Sequence, residues 1–149
     1  MTDKTVADMT GLEYLERVAD GRIEHPSMAL TLNFRLTDVA HGRAVITGEP
    51  NDSYCNPNGT IHGSWIAALL DSCMGSAVHS TLGAGVGFTV VDFKIDFVRP
   101  VKTDTGPVVA EGNVLSVGKK IGRANGVMRD ESGAILAAGT TTCLVLGEG

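Results

Sequence analysis

The chain has 149 residues, enough for one domain with its own core, and 43% of them are hydrophobic, which argues against disorder. A net charge of −5 leaves no basic excess to hold a nucleic-acid backbone. Nineteen glycines point to turns, strands and close backbone approaches rather than to a helical bundle.

Residues 1–5 show no positive segment followed by an apolar one, so no signal peptide is expected, and no stretch has the apolar length of a membrane span. Cys55, Cys73 and Cys143 are odd in number and lack metal-ligand spacing, which reads as reduced thiols in a cytoplasmic protein. Residues 8–20 have the period of a short amphipathic helix, with Leu12, Leu15 and Val18 on one side and Gly21 as its stop. Residues 28–37 and 42–48 alternate apolar and polar, as half-buried strands do. A loop rich in Asn, Asp, Pro and Gly covers 49–60. From His62 to Ser80 the residues Ile66, Leu70, Met74 and Ala77 recur at helical spacing. Strand patterns follow at 86–99, 106–117, 120–129 and 134–146, with turns expected at Gly118-Lys119 and at Asp130-Glu131-Ser132-Gly133. No internal repeat or linker interrupts this order, so residues 1–149 are expected to form a single domain, with 1–27 as an N-terminal helix and lead-in. Strands dominate after the long helix, which predicts an α+β domain with an antiparallel sheet packed around one helix. A helix that is apolar on nearly every side is buried on nearly every side.

One residue breaks that helix. Asp71 is a lone carboxylate in an apolar stretch, and no Lys or Arg occurs between Arg43 and Lys94 to neutralise it. A buried charge without a counter-ion is costly, and a carboxylate in such surroundings has a raised pKa and is a candidate for chemistry. Its helical neighbours Ala67, Ala68 and Gly75 are small, leaving room for a substrate or a second chain. Gly63 falls in the opening turn of the same helix, where backbone N–H groups lack intrahelical acceptors and the helix dipole favours developing negative charge. With no Cβ there, a ligand carbonyl can come close. No cluster of His, Cys, Asp or Glu has convincing metal-ligand spacing, so no metal is expected.

The pattern Asn56-x5-His62-Gly63-x7-Asp71, with Thr89 at the start of a strand, resembles hotdog-fold acyl-CoA thioesterases of the phenylacetate-degradation (PaaI-like) group. The run Asp92-Phe-Lys-Ile-Asp-Phe-Val-Arg99-Pro100 and the Gly118-Lys119-Lys120 turn are similar to that family as well, and the likeness covers roughly residues 28–146. The resemblance implies a single hotdog thioesterase domain, a sheet wrapped around one central helix, and hydrolysis of an acyl-CoA without a cofactor. It implies Asp71 as nucleophile or general base, the Gly63 N–H polarising the thioester carbonyl, and Asn56 orienting carbonyl or water. His62 would fix the loop or bond the thioester, and Thr89 would help hold the water. The site would lie between subunits of a homodimer or homotetramer. Lys119, Lys120, Arg123 and Arg99 are the candidates for the CoA phosphates. Where the family commonly has a second Gly, this chain has Ser64 followed by Trp65, which is expected to narrow the acyl pocket. Each residue also has a plainer reading: Asn56 holding a turn, His62 capping the helix, Thr89 an ordinary strand residue, His25 and His41 on surface loops. Two other functions fit the fold: a non-catalytic acyl-CoA-binding module, or a hotdog enoyl-CoA hydratase or dehydratase.

Overall fold

The computed structural model describes residues 3–147, so the extreme ends of the expected domain lie outside it. Two helices precede the first strand: α1 (Gly11–Ala19) and α2 (Ser27–Thr31). The strands β1 (Phe34–Ala40) and β2 (Arg43–Gly48) form a hairpin, and the long helix α3 (Gly63–His79) follows. Four strands complete the chain: β3 (Gly87–Phe97), β4 (Val108–Val117), β5 (Ile121–Arg129) and β6 (Ile135–Leu146).

All six strands pair antiparallel in one sheet, in the order β1-β2-β4-β5-β6-β3. The sheet wraps α3, whose Leu69, Leu70, Cys73, Met74, Ala77 and Val78 are fully buried. This is the hotdog fold, an α+β domain with one central helix. Glycines let the sheet come close. A Cβ on Gly112 would run into the Cys73 carbonyl, and one on Gly126 would stand 2.9 Å from Met74 Cγ. At Gly112 sheet backbone therefore packs on helix backbone, and at Gly126 on the Met74 side chain.

The expected strand over 28–37 begins late. Residues 27–31 form α2 instead, started by Pro26, and Asn33 in a left-handed conformation (φ 57°) turns the chain into β1. Alternation over Met28-Ala-Leu-Thr-Leu cannot by itself separate a strand from one helical turn. Only Ala29 of α2 is buried, so a single inward residue satisfies the packing.

α1 starts with a capping box: Glu13 N–H donates to Thr10 Oγ1 (3.2 Å) and Thr10 N–H to Glu13 Oε2 (2.8 Å). Its first residue, Gly11, donates to the Leu82 carbonyl at 3.0 Å and lies flat against the last turn of α3, where a Cβ would overlap the His79 carbonyl. α1 thus packs on the end of α3 and along β1, and α2 packs beside β1.

β3 is an edge strand with a bulge between Val90 and Asp92. Before the bulge, Phe88 and Val90 turn toward α3; after it, Phe93, Ile95 and Phe97 do, in register with Thr141, Gly139 and Ala137 of β6. Phe93 and Phe97 nevertheless stay 46% and 57% exposed, Phe97 although its ring reaches Gly63 at the start of α3.

Candidate active site

Along one side of α3 runs the i, i+4 series Gly63, Ala67, Asp71, Gly75, beside β3. The Phe97 ring lies over Gly63 and the Phe88 ring over Gly75, each within 3.0–3.2 Å of where a Cβ would stand. Asp71 is the single polar member. Its Oδ1 is buried and has no hydrogen-bond partner, alone among the side-chain oxygens and nitrogens of the described residues. Burial pushes the carboxyl above its ordinary value. The isolation read from the sequence therefore persists in three dimensions, since neither the sheet nor α1 supplies a cation.

Asp71 opens onto a cavity of about 250 Å³ between the two sheet edges. Leu15 and Val18 of α1, Ala29 of α2, Phe34 of β1, and Phe88 and Val90 of β3 form much of its wall. Tyr14, Ser72, Ser76 and His25 add polar groups. His25 lies in the loop between α1 and α2, as its sequence context suggests, but is half-buried against the cavity. Its Nε2 accepts the Leu36 N–H at 3.0 Å on the free edge of β1.

At the start of α3, His62 is the N-cap, and its Nδ1 accepts the Ser64 N–H (3.0 Å) and lies 2.6 Å from Ser64 Oγ. The Gly63 N–H has no acceptor among the described residues. Gly63 lines a separate groove with Ile61, Ile66, Phe97, Arg99 and Val101. Asn56 organises the preceding loop: its Nδ2 donates to Thr60 Oγ1 (2.8 Å), and its Oδ1 accepts from Asn58 N–H (2.9 Å) and Thr60 N–H (3.3 Å). The other Nδ2 hydrogen has no acceptor among the described residues.

The predicted residues are thus not all brought together within one chain. Gly63 and Asp71 are eight residues apart on a helix, about 12 Å along its axis. Thr89 is exposed on the face of β3 opposite Phe88 and Val90, turned from its own Asp71. Arg99 stands at the Gly63 end of α3, whereas the Lys119-Lys120 turn and Arg123 adjoin Gly122, which packs on Val78 near the other end. Trp65 does not narrow the Asp71 cavity. It is buried on another side of α3, stacked on Tyr54 at 5.7 Å, with Nε1 donating to the Leu32 carbonyl (2.8 Å). Cys55 lines a groove with His62, away from Asp71. Among the described residues no group of three His, Cys, Asp or Glu could hold a metal ion, and no helix is long and apolar enough to cross a membrane.

An antiparallel sheet wrapped on one central helix defines the class: a hotdog-fold domain, here with a carboxylate midway along that helix. Residues 58–137 match the thioesterase superfamily, and the chain belongs to it. The fold is similar to that of the PaaI protein from the phenylacetic acid degradation operon of E. coli (21% identity, 92% of this chain and 96% of that one, TM-score 0.80). It is similar also to a phenylacetic acid degradation-related protein from Ralstonia eutropha JMP134 (24% identity, 88% and 98%, TM-score 0.79). A thioesterase from Haemophilus influenzae gives a TM-score of 0.78 at 20% identity over 89% and 90%. No curated protein matches the chain in sequence.

Proposed function

We propose that the protein is a PaaI-like acyl-CoA thioesterase, hydrolysing an acyl-CoA to the free acid and CoA. The observation that carries this is Asp71 Oδ1, buried without a partner at the mouth of an apolar cavity. A carboxylate made more basic by burial is suited to activate water or to attack a thioester carbonyl itself. The acyl group occupies the cavity, and the free Gly63 N–H takes the developing oxyanion.

One carbonyl has to sit about 3 Å from both groups, and 12 Å of helix separates them in one chain. The site is therefore composite, with Asp71 from one copy and Gly63 from another. The free edge of β3 and the half-exposed Phe93 and Phe97 beside it are the surface such a second copy would cover. A two-fold axis between antiparallel α3 helices makes two equal sites in a homodimer, which a homotetramer repeats. It also brings the Lys119-Lys120 turn and Arg123 of one copy toward the Gly63 and Arg99 end of the other, where the CoA phosphates would lie. His62 and Asn56 hold the loop and the helix start in place, with the free Nδ2 hydrogen of Asn56 available to the carbonyl. Thr89, turned from its own Asp71, serves the water only in the partner's site.

Thiol release across a panel of acyl-CoAs tests the reaction, and mixing tests the architecture. Asp71→Ala and Gly63→Val are each expected to be inactive alone. Mixed and allowed to exchange subunits in equal amounts, they should regain about a quarter of wild-type turnover, because half the dimers are hybrid and each hybrid keeps one intact site. Hybrids that form but stay inactive would refute the shared site. Absence of thiol release from every acyl-CoA, with ligand-induced stabilisation, would instead identify a binding module.

A further inference from the structure

The first turn of α3 contains one contact that helix capping does not require. The Ser64 N–H donates to His62 Nδ1 at 3.0 Å, so that nitrogen carries a lone pair and the proton of the neutral ring is on Nε2. Ser64 Oγ lies 2.6 Å from the same Nδ1, and against a lone pair the hydroxyl is the donor. Two donors of one residue thus share one acceptor. The backbone bond alone completes the N-cap. The hydroxyl bond is additional, and it exists because this chain has Ser64 where PaaI-like thioesterases commonly carry a second Gly.

Both side chains are exposed, so the hydroxyl bond adds little to stability. Its effect falls on the residue between them. Gly63 lacks a Cβ and is the freest residue of the turn, and the bond from Ser64 to His62 closes a small ring around it. The ring is anchored on both sides: the His62 N–H donates to the Tyr54 carbonyl (2.7 Å), and the Trp65 N–H to the His62 carbonyl (3.0 Å). Of the four N–H groups from His62 to Trp65, only that of Gly63 has no acceptor among the described residues. With Nδ1 engaged twice and Nε2 protonated, the imidazole has no position for another proton, which leaves Asp71 as the base.

We propose that Ser64 is a positioning residue: its hydroxyl locks the His62 imidazole across Gly63, and so holds the Gly63 N–H in the direction a developing oxyanion requires. This rests on the hydrolase reading above, with Gly63 as the oxyanion donor.

The test follows thiol release from acetyl-, octanoyl-, benzoyl- and phenylacetyl-CoA. On the substrate that wild type cleaves fastest, Ser64→Ala and Ser64→Gly should each lower kcat about fivefold and change KM by less than about twofold, because the loss is felt in the transition state. Ser64→Thr keeps the hydroxyl and should restore most of the rate. In a His62→Ala background Ser64→Ala should have no further effect, since the group it acts through is gone. Ser64→Ala should melt close to wild type. Imidazole nitrogen NMR of the wild type, read without substrate, should show His62 unprotonated at Nδ1 and protonated at Nε2. An unchanged kcat in Ser64→Ala, an equal fall when His62 is absent, or a proton on Nδ1 would each overturn the assignment while leaving the hydrolase standing. No thiol release from any of the four by the wild type would defeat the hydrolase reading itself, and this one with it.

Discussion

Asp71→Ala should inactivate the protein and stabilise it at once. Oδ1 is buried with no donor, and no cation lines the cavity. Removing an unsatisfied buried polar group relieves a desolvation cost of about 1–3 kcal/mol. Oδ2 is not buried in this way and keeps contact with solvent, which favours the lower half of that range. The deleted atoms open onto an existing cavity, so no new closed void offsets the gain. For a chain of this size, about 1–2 kcal/mol corresponds to a Tm rise of roughly 2–8 °C. The gain must depend on pH in a definite direction. Burial raises the folded carboxyl above its reference of 3.8, so the folded state holds this proton more tightly than the unfolded state does. Protonated Asp71 therefore costs little below pH 3.8, and the penalty grows as pH rises through the folded pKa. The advantage of the variant should be full near neutrality and fade in acid. Calorimetry at both ends of the range reads this, and thiol release should fall at least about a hundredfold, as expected on losing a general base. A variant equally or less stable near neutrality, or one whose gain ignores pH, would refute a carboxylate without a partner. Undiminished hydrolysis would refute its role.

Gly63→Ala would place a Cβ 3.0 Å from Cζ at the far end of the Phe97 side chain, which has to give by only a few tenths of an ångström. Stability should change by less than about 1 kcal/mol while kcat/KM drops about tenfold or more, measured by melting and steady-state kinetics. Gly112→Ala would drive a Cβ into the Cys73 carbonyl, where backbone on both sides cannot yield, and should cost about 3 kcal/mol in a denaturant titration. Gly83→Ala, with nothing within 4 Å of its Cβ position, is the control and should stay within about 0.5 kcal/mol. The pH–rate profile should show an acid limb above the ordinary carboxylate reference of 3.8, with activity rising as Asp71 deprotonates; a limb at or below that value would argue for a different base.

Much of this molecule is legible in its residues, for reasons that differ from element to element. The helix expected over 62–80 occupies Gly63–His79, because long apolar periodicity bounded by a cap and a turn leaves little alternative. Three of the four later strands begin one residue after their expected starts and the other two residues after, because alternation over nine residues or more is hard to imitate. Residues 28–32 mislead because five alternating residues suit one helical turn equally well. The isolation of Asp71 could be read from charge spacing alone. The separation of Gly63 and Asp71 into different cavities could not, because helix geometry shows the distance but not which walls stand between. Nor could the half-burial of His25, which depends on where the edge of β1 ends up relative to α1. The one local signal was an uncommitted His just before a Pro.

The gap between the outer strands β1 and β3 is closed by residues that come before the stretch matching the thioesterase superfamily, which begins at residue 58. Helix α3, Asp71 and the Gly63 N–H thus belong to one portion of the chain, and the cover of the cavity to another. Exchanging residues 10–40 for those of a relative would swap the cavity's cover and the edge strand β1 while leaving α3 untouched. Such chimaeras should alter which acyl group is accepted before they alter how the thioester is cleaved. A fold arranged in this way can change its diet by rewriting its first forty residues.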